Sequence, residues 1–371
     1  VRILAPHPDS FGGYGGIAAA SRQFLRAICK MDAVDEVVAL PRTQTTDTDE
    51  PLPDALTWEW DSLGGMTAFV GALLRRLAVD RDFDLIWCGH LHLVPFALLA
   101  RQWTGAPVAV HVHGIEAWEP TEKWLANKLV SRVDHVISVS ETTLERLVAW
   151  SGLSPEQGTV VPNTIDFDGL QPGPKPTELE ERYDLRDRYV LMTMGRLVGE
   201  ERKKGFDRVL DVLPEVASER PDVAYLIVGK GPDRPRLERK AERIGVHDRV
   251  TFAGYIPEHE KSDHFRLADR FVMPSEGEGF GLVLLEALAC GTPVIASTRD
   301  ASRAAVAHGE FGAVVDPRDP TELVESILSK QTPPNPAAVR DRFGSAAYQA
   351  RVAEVVSEVS ASSATQMAIE A

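Results

Sequence analysis

The sequence predicts an α/β protein made of two doubly wound parallel sheets, one following the other. Three observations predict it. Short apolar runs alternate with helix-length segments along all 371 residues. The runs are continuous rather than alternating, as in strands covered by helices on both faces. The series also breaks once, at GLQPGPKP (169–176), and then starts afresh.

In the first series Val1–Ala5, Glu36–Leu40, Asp84–Cys88, Val108–Val112, His135–Val139 and Thr159–Val161 read as buried strands, with helices such as Ile17–Lys30 and Met66–Val79 between them. The Pro- and Gly-rich break, with the polar stretch to Arg188, has the composition of a linker. The second series reads Tyr189–Met194, Ala224–Val228, Val250–Phe252, Arg270–Met273, Pro293–Ala296 and Ala313–Val315. After its first strand, Phe206, Val209, Leu210, Leu213 and Val216 share one helical face. QTPPNP (331–336) is a loop, a helix is expected within 337–356, and the small polar tail 357–371 is expected to fray. The boundaries drawn are 1–168, a linker at 169–188, 189–336, and a terminal segment 337–371. Ligands are expected at the carboxyl ends of the strands, in a cleft between the two domains.

The net charge is −15, from 40 Lys+Arg against 55 Asp+Glu. That disfavours a nucleic-acid binder, which needs clustered cations, but leaves room for a small phosphorylated molecule in a local site. No apolar run reaches the ~18–20 residues that span a bilayer. VRILAPHPD lacks the basic and apolar regions of a signal peptide, and three scattered cysteines fit a reducing compartment, so a cytoplasmic location is expected.

Four segments carry chemistry. PSEGEGFGLVLLEALACGTPVIAS (274–297) is a strand end, a glycine turn and a helix. Gly277, Gly279 and Gly281 let backbone amides approach a ligand closely, and the helix start adds donors, which together favour an anion. Glu278 lies in the turn and Glu286 eight residues on, a spacing that a plain strand–turn–helix connector also produces. In MGRLVGEERKKGFD (194–207), Arg196 stands at a strand end and Lys203 and Lys204 precede a helix. An Arg fork and a Lys point charge suit a diphosphate, although five basic residues here also describe a solvated surface. FGGYGGIAAASRQF (11–24) satisfies G-x-G-x-x-A, but the loop starts late and the strand after it ends VVALPR with no ribose-binding acid, which argues against NAD. His113 ends VAVHVHG (108–114), a position that is commonly structural. His90, His92 and His111 lie near it in sequence without a ligand set for a metal, and the D-x-D pairs, Asp47/Asp49 among them, read as loops.

Together these segments resemble the GT-B glycosyltransferases of the retaining family 4 (glycosyltransferase group 1) type. The resemblance rests on the loop Gly12–Gly16, PNTID (162–166), Gly195-Arg196 with Lys204-Gly205, and Glu278-x7-Glu286 in its E-G-F-G-L-x-L-x-E-A setting. ISVSE (137–141), VGKGP (228–232), VTFAGYIP (250–257) and FGAVVDPRDP (311–320) add to it. It implies two Rossmann-like domains, an N-terminal acceptor domain and a C-terminal donor domain, and a last helix crossing back to the first.

It further implies transfer of a hexose-type sugar, with retention, from a UDP-, GDP- or ADP-sugar to a glycan, glycolipid or small-molecule hydroxyl. No metal or cofactor is implied, and polysaccharide or glycolipid assembly is the implied setting. Arg196 and Lys204 would hold the diphosphate, with Lys203 as the alternative to Lys204. Glu286 would take the ribose and Glu278 the sugar, and amides at Gly279, Phe280 and Gly281 would hold sugar or phosphate oxygens. Gly15 and Gly16 would line the phosphate, and His113 would touch the sugar. Thr164 replaces the glycine of the usual PNG, and STRDASRAAVAHGE (297–310) replaces a glycine pair and a glutamate.

The competing readings are another GT-B enzyme, such as a sugar-nucleotide epimerase or a starch-synthase-like enzyme, and a silent scaffold subunit. Arg22, Arg26 and Lys30 on one helical face, with Arg75-Arg76, offer weak peripheral contact with the inner face of a membrane or a merely solvated surface.

Overall fold

A computed structural model describes residues 1–13, 15–44, 50–330 and 332–370, the side chains at 200, 201 and 362–370 excepted. Tyr14, within the G-x-G-x-x-A match, and the Asp47/Asp49 pair lie outside the described residues. The chain divides into two compact units: Val1–Thr164 with Ser345–Ala371, and Ile165–Gly344.

In the first unit seven strands form one sheet: β1 (Arg2–His7), β2 (Glu36–Pro41), β3 (Leu56–Trp58), β4 (Leu85–Cys88), β5 (Val108–Val112), β6 (His135–Ser138) and β7 (Gly158–Val160). Their order is β3-β2-β1-β4-β5-β6-β7, and every pair is parallel. The sequence reading has six of them. It lacks β3, whose three residues are too few to show a period.

Successive side chains leave opposite faces of a strand. Ile3 and Ala5 pack with Phe24, Leu25 and Ile28 of helix Gly16–Ile28. Leu4 packs instead with Phe69, Leu73 and Leu77 of helix Met66–Val79. Such continuous burial on both faces is why the strands read as unbroken apolar runs.

The C-terminal region differs from the single helix and frayed tail expected. Helix Pro336–Phe343, capped by the Asn335 side chain, belongs to the second unit and ends at Gly344. A second helix, Ser345–Glu370, runs through most of the stretch expected to fray. Tyr348, Val352, Val355, Val356 and Val359 recur at helical spacing and are buried in the core of the first unit. Burying that stripe offsets the modest helix propensity of a segment rich in Ser and Val.

The second unit repeats the plan with β8 (Tyr189–Met194), β9 (Val223–Val228), β10 (Val250–Gly254), β11 (Arg270–Val272), β12 (Val294–Ser297) and β13 (Ala313–Val315). The order is β10-β9-β8-β11-β12-β13, again all parallel. Leu191, Tyr225, Ile227, Val272 and Ile295 make its core with Val209, Leu210, Leu213 and Val216 of helix Phe206–Glu219. Residues 169–188 pack within this unit. They carry helix Thr177–Arg182, and Lys175 pairs with Asp269 at 2.6 Å.

Each sheet reverses its strand order once, between β1 and β4 and between β8 and β11. At such a point the two connections leave toward opposite faces, and a crevice opens beyond the carboxyl ends of the strands.

Candidate functional site

The crevice of the second unit is flanked by the segments after β8 and β11. Gly195 and Arg196 continue β8, and the backbone after β9 runs closely against them. A β carbon on Gly229 would stand 1.9 Å from the Gly195 carbonyl oxygen, so VGKGP needs glycine there. Arg196 is exposed at this strand end.

The 3-10 helix Gly199–Lys204 follows, tied down where Arg202 meets the buried Asp233 at 3.0 Å. Gly205 ends it with φ 92, and a β carbon there would sit 2.7 Å from the Pro274 carbonyl oxygen. The close approach lets the Glu276 N–H donate to the Lys203 carbonyl at 2.7 Å. The two crevice walls are therefore joined by backbone.

On that joint stands an ion pair, with Lys204 Nζ 3.1 Å from Glu278 Oε2 and both side chains about four-fifths buried. Lys203 contributes its carbonyl to the Glu276 N–H, whereas Lys204 brings its charge to Glu278, which favours Lys204 of the two candidates. Gly281, with φ 93, caps helix Leu282–Ala289. The Phe280 side chain is buried and meets Phe343 edge-on at 6.2 Å, so only its backbone is left to serve a ligand.

Glu286 lies on the second turn of that helix and pairs with Lys261 at 2.6 Å. Burial pushes the Glu286 carboxyl above its usual range, and the Lys261 charge draws it back. Burial also works against the Lys261 ammonium, yet Glu286, with Glu258, holds its pKa above the ordinary value. Lys261 is absent from the sequence reading because it stands 25 residues from its partner.

Asp300 is also absent from the sequence reading. Its buried carboxylate accepts from the Ser275 hydroxyl at 2.6 Å and the Glu278 N–H at 2.9 Å. It sits in the loop after β12, where one acid among 55 Asp and Glu carries no local signal.

In the first unit, β1 leads into the glycine loop. The buried His7 donates from Nδ1 to the Ala5 carbonyl at 2.9 Å, which leaves Nε2 to accept from the Ser10 hydroxyl at 2.8 Å. Arg22 turns inward and donates to the carbonyls of Ser10 and Gly13 at 3.1 and 3.0 Å. Gly15 has φ 92 and caps helix Gly16–Ile28, and a β carbon on Gly15 or Gly16 would meet nothing within 4 Å. Their open side is toward space that a ligand could occupy.

His113 follows β5. Its Nε2 donates to the Gly89 carbonyl at 3.0 Å, so in the neutral ring Nδ1 carries the lone pair. That atom is buried without a hydrogen-bond partner among the described residues. Burial lowers the His113 pKa and keeps the ring neutral, and the His111 ring lies 4.4 Å away. His90 caps the 3-10 turn Leu91–Leu93 by accepting from the His92 N–H. No three His, Cys, Asp or Glu among the described residues form a metal-binding group.

Glu278 and Lys204 are thus brought together, with Gly195 packed against the Lys204 stem and Arg196 next in the chain. Glu286 is held separately by Lys261. Of the basic residues read from the sequence as a surface, Arg22 and Arg26 pair with Glu50, Arg76 pairs with Glu59, and Arg75 pairs with Asp61 in the open.

The description "Glycosyltransferase Family 4" matches residues 14–168, and "Glycosyl transferases group 1" matches residues 188–330. A GDP-mannose-dependent alpha-(1-6)-phosphatidylinositol monomannoside mannosyltransferase of Mycolicibacterium smegmatis is 33% identical over 283 residues, covering 72% of each chain. The chain belongs to the group 1, family 4 glycosyltransferases.

This glycosyltransferase is also 30% identical over 329 residues to a D-inositol 3-phosphate glycosyltransferase of Thermobispora bispora, covering 80% of the chain and 76% of the relative. Among solved structures it resembles Anabaena HepE in complex with UDP, with TM-score 0.75 and 20% identity, covering 96% of this chain and 100% of that one. It also resembles the lipopolysaccharide outer core galactosyltransferase WaaB, with TM-score 0.74 and 17% identity over 96% and 99%. Those likenesses show the fold, which is GT-B, and the enzyme class is transferase.

Proposed function

We propose that this glycosyltransferase moves a hexose-type sugar, with retention of configuration, from a nucleoside-diphosphate sugar held by the second unit to a hydroxyl acceptor. The observation that carries the reading is the Lys204–Glu278 pair at the β8/β11 switch point, with Arg196 at the adjoining strand end. Breaking a sugar–phosphate bond puts negative charge on the departing diphosphate. Preorganised cations facing that charge stabilise the transition state without reorganising. Arg196 supplies a fork for two phosphate oxygens, and Lys204 supplies a point charge.

In this reading Glu278 contacts the transferred sugar, Glu286 accepts from the ribose hydroxyls, and amides at Gly279, Phe280 and Gly281 hold sugar or phosphate oxygens. Gly15 and Gly16 are assigned to the phosphate. His113 is assigned to the sugar. The reaction asks for no metal or cofactor, since the cations are supplied by side chains.

Relatives named for GDP-mannose make that donor the first to test, and UDP-glucose, bound in a HepE structure, the second. Inositol-bearing glycolipids and inositol phosphates are the acceptors those names support.

For weak peripheral membrane contact the first unit offers a second surface beside the arginine faces. Trp124 is 70% exposed and Leu125 41%, and both lie among the exposed Lys123 and Lys128. No helix among the described residues is long and apolar enough to cross a membrane.

The test is nucleoside diphosphate release from GDP-mannose and UDP-glucose. Arg196→Ala is expected to lose both turnover and diphosphate affinity. Intact GDP and UDP affinity in that variant removes the diphosphate role from Arg196.

A further inference from the structure

We propose that Asp300 is a positioning residue whose carboxylate fixes the backbone of the 275–278 turn and so decides where Glu278 presents its side chain. The inference rests on the donor-site reading of Glu278, and its own observations are geometric. Asp300 is 1% exposed, three residues beyond β12. One carboxylate oxygen accepts from the Ser275 hydroxyl at 2.6 Å and from the Glu278 N–H at 2.9 Å. The other accepts from the Ser302 N–H at 3.0 Å and the Ser302 hydroxyl at 2.6 Å. The Ala301 N–H then donates to the Glu278 carbonyl at 3.0 Å. Both backbone polar groups of Glu278 are thereby held by residues 300 and 301.

A buried charge is costly unless it is fully hydrogen-bonded. Here four donors converge on it, two from the turn and two from its own loop. An amide could not replace it fully, because its NH2 end would face a backbone N–H, which cannot accept. The side chain of Glu278 meets Lys204 at 3.1 Å, so an error in the turn passes directly to that ion pair. Glu278 is the charged group acting on Asp300, and Lys204 is in turn the partner of Glu278. Burial pushes the Asp300 carboxyl up to about 6, against the hydrogen bonds from Ser275 and Ser302 that pull it down. The carboxylate form that the turn requires is therefore complete only above that pH.

The experiment compares the full-length wild type with Asp300→Asn and Ser275→Ala. Amide hydrogen exchange is read on peptides covering 274–282. On the same proteins, diphosphate release from GDP-mannose and UDP-glucose is measured, and GDP and UDP affinity is taken by calorimetry. Asp300→Asn should speed exchange across 274–282 with the remainder of the second unit unchanged. Its kcat should fall about 10- to 100-fold, the range a misplaced reacting group costs, while nucleotide affinity stays within about twofold. Ser275→Ala keeps the carboxylate and removes one donor, so the same changes should appear at roughly 2- to 5-fold. It also decides the matter if Asp300→Asn does not fold.

Unchanged exchange over 274–282 in a folded variant overturns the proposal. So does a kcat loss matched by an equal loss of nucleotide affinity, because Asp300 would then hold the whole pocket rather than the turn. A wild type that binds neither nucleotide and turns over neither donor refutes the donor-site reading instead. The exchange result still decides whether Asp300 fixes the turn.

Discussion

Acidification should destabilise the first unit through histidines buried in neutral form, and His7 allows the size of the effect to be worked out. Burial lowers its pKa from 6.5 to about 4, against the bond to the Ala5 carbonyl. Above pH 6.5 the ring is neutral whether the chain is folded or unfolded, so its contribution is fully present. Between 6.5 and about 4 the unfolded chain binds a proton that the folded unit refuses, and stability falls as the pH drops. A shift of that size amounts to about 3 kcal/mol in total, of which about 2 kcal/mol is lost by roughly pH 5.

The assay is urea unfolding followed by tryptophan fluorescence. All seven tryptophans, Trp58 to Trp150, lie in the first unit, so the signal reports that unit alone. His7→Gln keeps a polar side chain that does not titrate. Its loss of stability between about pH 8 and pH 5 should be smaller than that of the wild type by about 2 kcal/mol. The other buried histidines and the carboxylates titrate in both proteins and cancel in the comparison. Parallel pH curves for the two proteins would refute the reasoning, since His7 would then be charged in the fold or solvated through it.

Three further outcomes follow from the second unit. Glu286→Ala should weaken nucleotide binding by about 1–3 kcal/mol in calorimetry, and an unchanged affinity removes it from the ribose. Turnover should decline as the pH falls through about 6, because a protonated Asp300 no longer accepts from every donor of the turn, and Asp300→Asn should flatten that limb. The sign for stability is the reverse. The fold favours the protonated acid, so this group's contribution is present below its ordinary value of 3.8 and lost as the pH rises through about 6. Gly205→Ala should cost about 1–3 kcal/mol, because φ 92 is strained for alanine and its β carbon would strike Pro274. Chemical unfolding of the second unit checks this, and a cost near zero means that the 194–207 and 274–281 segments do not meet as described.

The two-sheet plan was legible because buried parallel strands are unbroken apolar runs, and twelve such runs stand in order in the sequence. β3 escaped because three residues show no period, and the last helix was cut short because its stripe of valines resembles a small polar tail until the core that covers it is known. Glu278 and Lys204 were legible through the glycines around them, which mark where backbone must pass close to something. Lys261 and Asp300 were not. Each acts through a partner more than twenty residues away, and sequence spacing carries no trace of a contact made between segments that far apart in the chain. The pairing of the arginines on the first helix was hidden for a similar reason: their partners, the carbonyls of Ser10 and Gly13 and the Glu50 carboxylate, are visible only once the loop has folded back.

The most direct test of the proposed chemistry is nucleoside diphosphate release from a panel of GDP-mannose, UDP-glucose and ADP-glucose, with and without an inositol-bearing acceptor, on wild type beside Arg196→Ala. The account predicts release from donors of one base, stimulated by acceptor and lost in the variant. A folded wild type that releases diphosphate from none of them and binds no nucleotide contradicts it.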